Sequence, residues 1–82
     1  MDEFKNRLRL CRNQLDLKQQ DIAEELNIVY RTYRRYETGE TKPDIETAAK
    51  LAQYFHVSLD YLAGLTDDPT PPNHSQKENP IP

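Results

Sequence analysis

The apolar positions of this chain group into five short repeats of helical period. Phe4, Leu8, Cys11 and Leu15 recur at intervals of four, three and four, one stripe of a helix predicted over residues 3–14 with Asp2 as its N-cap. Asp16 follows, and aspartate can take the left-handed conformation that ends a helix. A second helix is predicted over residues 19–26, with Ile22, Ala23 and Leu26 inward and Asp21, Glu24 and Glu25 outward, the early acidic groups suiting the positive end of its dipole. Asn27 and Ile28 form a tight turn, since asparagine tolerates positive φ better than other non-glycine residues. The third helix runs from Val29 or Tyr30 to Thr38 and stops at Gly39. Tyr33 and Tyr36 form its buried side, hydroxyls directed to the rim. Asp44 caps a fourth helix whose Ile45, Ala48, Leu51, Ala52 and Phe55 point to the core and which ends at His56. Ser58 caps a fifth, residues 59–63, terminated by Gly64.

The pattern predicts an all-α fold, a compact five-helix bundle over residues 1–65, with no repeat and no second domain. Residues 66–82 hold five of the six prolines and almost nothing apolar except Ile81. This flexible, Pro-rich acidic tail is expected to be disordered or extended, as a linker remnant or a partner-binding strand. No apolar run approaches the ~20 residues that span a bilayer, and the charged N-terminus is unlike a cleavable signal, which implies a cytoplasmic protein. A lone Cys11 cannot form an internal disulfide or a cysteine-based zinc site and reads as a small buried hydrophobe. His56 and His74 lie far apart, so neither a metal nor a cofactor is expected. Paired catalytic carboxylates, a nucleophile with a base and a phosphate-cradling glycine loop are all lacking, which argues against an enzyme.

The net charge is −3, a sign that slows approach to phosphate. Its distribution changes the picture. Residues 1–15 carry four positive and two negative charges, and residues 27–43 again four against two, so each segment is +2. Residues 16–26 total −3, and from Asp44 onward two positive charges meet six negative ones, giving −4. The acidity is therefore concentrated away from the third helix.

Ala23, Asn27, Tyr33 and Tyr36 together have the layout of a helix-turn-helix: a small residue where two helices cross, a left-handed turn, then a second helix with its own buried stripe. The outer face of that second helix offers Tyr30, Arg31, Arg34 and Arg35. Arg31 and Arg35 share one stripe, Tyr30 and Arg34 the next. The planar fork of arginine matches both acceptors on the major-groove edge of guanine, so one stripe can read bases while the other grips the backbone.

On these residues, and on RLRLCR (7–12), LKQQDIAEEL (17–26), RRYETG (34–39), KPD (42–44) and VSLDYLAG (57–64), the chain resembles the lambda repressor and Cro type of helix-turn-helix domain, the Xre family, over residues 4–65. The resemblance implies a sequence-specific transcriptional regulator, a repressor, of bacterial or phage origin and nucleoid-associated, binding a pseudo-palindromic DNA operator as a homodimer. It implies base reading by Tyr30, Arg31 and Arg35, and phosphate contacts from Gln19, Arg34, Thr38, Thr41 and Lys42. It also implies a structural ion pair between Arg12 and Glu37. The chain departs from the family in having Lys18 and Val29 where Ser or Thr caps helices two and three, Asn27 for the turn glycine, and Tyr33 for an aliphatic residue.

Family and size together suggest a dimer surface at Tyr54, Leu59, Tyr61, Leu62 and Leu65, the alternative being that these residues close the bundle; Leu10 and Leu15 are also more apolar than the first helix needs. With no room for the sensor domain that family members often carry, regulation is expected from a partner protein, concentration or proteolysis. The alternative function is a protein-interaction module, such as an antitoxin or anti-repressor partner, working through the acidic C-terminal half.

Overall fold

The computed structural model describes residues 2–71. Its helices are α1 (Asp2–Gln14), α2 (Gln19–Glu25), α3 (Tyr30–Thr38), α4 (Ile45–Phe55) and α5 (Leu59–Ala63), with no strand among the described residues. α1 is the central support, packing on both α3 and α5, while α2 packs on α3 and α4 on α5. Phe4, Leu8 and Cys11 of α1 meet Ile22 and Ala23, Tyr33 and Tyr36, Leu51, Ala52 and Phe55, and Leu62 in one core. Leu8, Ile22, Leu51 and Leu62 are fully buried, each worth about 1.5–3 kcal/mol in removed apolar surface. Burial pushes the Cys11 thiol up, against the nearby charge of Arg7, which suits an inert packing role.

The helix ends explain why so short a chain turns so sharply. Asp16, Asn27 and His56 sit at φ of 60°, 59° and 59°, and Gly39 and Gly64 at 87° and 83°. Behind α2, the Ile28 amide donates to Ala23 O at 2.8 Å and the Asn27 amide to Glu24 O at 3.2 Å, the paired bonds of a Schellman ending. α1 closes the same way through Leu17 N to Arg12 O at 3.3 Å and Asp16 N to Asn13 O at 3.0 Å. Asp44 and Ser58 cap α4 and α5 by accepting from the Thr47 and Tyr61 amides, each at 2.9 Å. Lys18 has no side-chain acceptor, and the start of α2 is fixed from within: its amide donates to Asp21 Oδ2 at 2.9 Å.

Two apolar residues expected in the interior lie outside it. Ile45 is 70% exposed and Leu15 is 50% exposed. Ile45 is the first residue of α4 and has no preceding turn beside it, while Leu15 falls beyond the last turn of α1.

Residues 66–71, assigned above to the tail, include contacts with the bundle. Arg7 donates to Tyr61 O at 2.9 Å, Thr66 O at 2.6 Å and Asp67 Oδ1 at 2.8 Å, and its guanidinium lies 4.2 Å from the centre of the Tyr61 ring. The Ser58 amide donates to Pro69 O at 3.1 Å. The rest of the tail lies outside the described residues. Arg7→Ala is expected to lower stability by about 1.5–3 kcal/mol, the range for hydrogen bonds to a charged group. Amide hydrogen exchange at Ser58 should speed up more than at the core amides of α4.

Candidate nucleic-acid interface

α3 is fixed from its inner side. Tyr33 and Tyr36 are buried and meet edge-to-face with centroids 6.3 Å apart, a favoured aromatic geometry. One turn beyond Tyr33 stands Glu37, only 1% exposed. Arg12 grips it with a fork, Nε to Oε2 at 2.7 Å and Nη2 to Oε1 at 3.0 Å, and its Nη1 donates to Leu17 O at 2.9 Å. Gln19 Nε2 donates to Oε1 at 3.0 Å, and the Tyr33 hydroxyl donates to Oε2. α1, the start of α2 and the end of α3 thus meet on one carboxylate. Burial pushes the Glu37 carboxyl up, but the donors from Arg12, Tyr33 and Gln19 outweigh it and hold it below the ordinary carboxylate value.

The Tyr33 hydroxyl is therefore turned inward and not to the rim. Gln19 likewise commits one N–H to Glu37, a contact that the sequence reading missed. The signal available for the first was the four-residue spacing of Tyr33 and Glu37 on one helix face; for the second there was none, because the pair is 18 residues apart.

The outer face is open. Tyr30 is 45% exposed, and Arg31, Arg34, Arg35 and Thr38 are exposed. Arg34 lies 5.7 Å from the centre of the Tyr30 ring, close enough for a weak cation–π contact. Arg35 Nε is 3.9 Å from Glu40 Oε1, with both side chains more than half exposed, a pair worth little in water. Arg31 and Arg34 have no carboxylate within ion-pair distance among the described residues. Arg31, Arg34, Arg35, Thr38 and Glu40 line a shallow hollow of about 270 Å³. At the end of α3, Thr38 Oγ1 donates to Arg35 O at 3.1 Å and accepts from the Glu40 amide at 3.3 Å, and the Thr41 amide also reaches Arg35 O, at 3.4 Å. Lys42 is exposed just beyond.

The residues expected at a dimer surface differ in exposure. Leu62 is 0% exposed and belongs to the core, which removes it from any such surface; the apolar face of a helix this short can serve either role, and here α1 covers it. Tyr61 lies under the Arg7 guanidinium, and half-buried Tyr54 packs edge-to-face on Phe55 at 5.3 Å. Leu59 and Leu65 do share a feature, an apolar groove of about 420 Å³ that Phe4, Ile45, Ala48 and Ala63 also line.

Residues 8–62 match the helix-turn-helix family model. The chain belongs to the helix-turn-helix family. Among its relatives, YobD of Bacillus subtilis, an uncharacterized HTH-type transcriptional regulator, is 40% identical over 65 residues, 79% of this chain and 58% of YobD. The cryptic phage CTXphi transcriptional repressor RstR of Vibrio cholerae is 34% identical over 62 residues, 76% of this chain and 55% of RstR. The crystal structure of a transcriptional regulator from Listeria innocua superposes with a TM-score of 0.71 at 41% identity, covering 92% of this chain and 69% of that one. The chain spans about half the length of the curated relatives that it matches first.

α2, the Asn27 turn and α3 all lie within the matched residues, and they are the region that the Glu37 cluster braces. Among the described residues no group of three or more His, Cys, Asp or Glu could hold a metal ion, and no helix is long and apolar enough to cross a membrane.

Proposed function

We propose that this chain binds double-stranded DNA sequence-specifically by laying α3 in the major groove, and acts as a transcriptional regulator, as a repressor. One observation carries the reading: α3 is anchored by Tyr33, Tyr36 and Glu37 while its opposite face holds three exposed arginines and Tyr30. A helix with its side chains is about 10–12 Å wide and the major groove of B-DNA about 12 Å, so the face can reach base edges. In this reading Tyr30, Arg31 and Arg35 contact bases, and Gln19, Arg34, Thr38, Thr41 and Lys42 contact phosphates. Gln19 keeps a second N–H for that purpose, and Glu37 fixes where it lies. The mechanism contains no covalent step and needs no cofactor; occupancy of the site excludes other proteins from it.

Two copies are proposed to meet through the groove at Leu59 and Leu65, with exposed Ile45 on its wall, on a pseudo-palindromic operator whose half-sites are about one helical turn, ~34 Å, apart. Selection of bound duplexes from a random pool tests the reading. A two-fold symmetric motif with that spacing is the expected result. A single half-site motif counts against the dimer, and absence of any enrichment or low-salt duplex binding at micromolar protein counts against DNA as the ligand.

A further inference from the structure

We propose that Lys5 and Arg9 of α1 form a second phosphate-contacting patch, continuous with the Thr38–Lys42 corner of the α3 face; the inference rests on the DNA-binding reading above. α1 carries four cations, and the structure divides them into two kinds. Arg7 pairs with Glu3 and Asp67, and Arg12 with Glu37. Lys5 and Arg9 have no carboxylate within ion-pair distance among the described residues. Four residues apart, they share one face of α1, and that face lies against the C-terminal end of α3. Arg9 Nη1 donates to Glu37 O at 3.3 Å, and its Nη2 is held by Asn6 Oδ1 at 2.8 Å. Lys5 covers Gly39, the left-handed residue that ends α3: a Cβ added there would lie 2.9 Å from Lys5 Cδ and 3.5 Å from its Nζ. Gly39 follows Thr38 and, with Glu40, joins it to Thr41.

This flank needs positive charge if a phosphate strand is to run along it. The carbonyl end of a helix carries about half a negative charge, and Glu40 adds another just beyond. Lys5 and Arg9 offset both, and the Arg9 fork retains three N–H groups beyond the two that it uses. A purely structural role, in which the two side chains only cap α3, makes a different prediction: it affects stability and leaves the electrolyte dependence of DNA binding unchanged.

The experiment is duplex binding measured against salt concentration for the full chain and for a Lys5→Gln/Arg9→Gln variant, on a selected duplex and a scrambled one, with thermal melting alongside. Each phosphate contact contributes about 0.9 to the slope of log K against log salt. The double variant should flatten that slope by about 2 on both duplexes alike, and Lys5→Arg/Arg9→Lys, which keeps the charges, should restore it. If the double variant melts early, Lys5→Gln alone should flatten the slope by about 1. An unchanged slope, or a loss confined to the selected duplex, overturns the inference while leaving the α3 interface standing. If the unmodified chain binds neither duplex at low salt, both readings fall.

Discussion

Arg12→Ala is expected to lower stability by about 3–5 kcal/mol, the range for removing one partner of a buried ion pair. A domain of this size has roughly 4–10 kcal/mol in total, so the variant should lose from about a third of its stability to nearly all of it. The reason is geometric. The Glu37 carboxylate is 1% exposed, and Arg12 supplies two of its four donors and, among the described residues, its only counter-charge. Without Arg12, the burial that pushes the carboxyl up is opposed only by the donors from Tyr33 and Gln19. Removing both partners with Arg12→Met/Glu37→Leu leaves no unpaired charge and should cost much less. Urea unfolding of the two variants, compared at neutral pH, measures the difference.

The same cluster sets the pH limits of the fold. The Glu37 carboxyl is held below its ordinary value, so the folded chain binds that proton less tightly than the unfolded one. Its contribution is complete above about pH 4.3, the ordinary glutamate value, and is lost as pH falls through the lower folded value. The Tyr33 hydroxyl is pushed up, first by burial and then by its bond to Glu37. Its contribution is complete below about pH 10 and declines above that, as the unfolded chain ionises first. Unfolding followed from pH 2 to 12 should give a plateau with two falling edges, and Tyr33→Phe should soften the alkaline edge.

The bundle was legible because every helix is closed by a residue that can bear a left-handed backbone. The sequence marks all five as helix ends, Asp16 and Asn27 for their tolerance of a left-handed backbone and Gly39 and Gly64 as glycines; each of these has positive φ, and so has His56, whose left-handed conformation no sequence signal gives. Between those marks the helical period did the rest. The errors come where periodicity stops carrying information. Ile45 has the right phase for the core, but at the first turn of a helix phase does not ensure a neighbour. Leu62 belongs to so short a helix that an apolar stripe cannot be told apart from an exposed patch. The Arg7 contacts with residues 66 and 67 join positions about 60 apart, and no local pattern encodes such a meeting. The outer stripe of α3 was readable for the opposite reason: arginines at four-residue spacing opposite a buried tyrosine stripe leave only one side for each.

Arg31→Ala and Arg35→Ala are each expected to weaken binding to the selected duplex by about 1–3 kcal/mol, roughly 5- to 150-fold, and to relax preference at one base pair. Neither side chain is held back by a strong contact in the free protein. Arg31 has no carboxylate partner among the described residues, and the exposed 3.9 Å approach of Arg35 to Glu40 is worth about 0–1 kcal/mol. Four residues of helix rise about 6 Å, close to two base-pair steps of about 3.4 Å, so the two relaxed positions should lie about two base pairs apart. Arg34→Ala serves as the contrast. Its guanidinium leans over the Tyr30 ring on the neighbouring stripe, and its loss should weaken selected and scrambled duplexes equally, with a shallower salt dependence. Competition binding against duplexes carrying single base changes separates these outcomes. If Arg31→Ala lowers affinity for scrambled DNA as much as for the selected site, Arg31 contacts the backbone, and sequence preference must come from Tyr30, Arg35 or the deformability of the duplex.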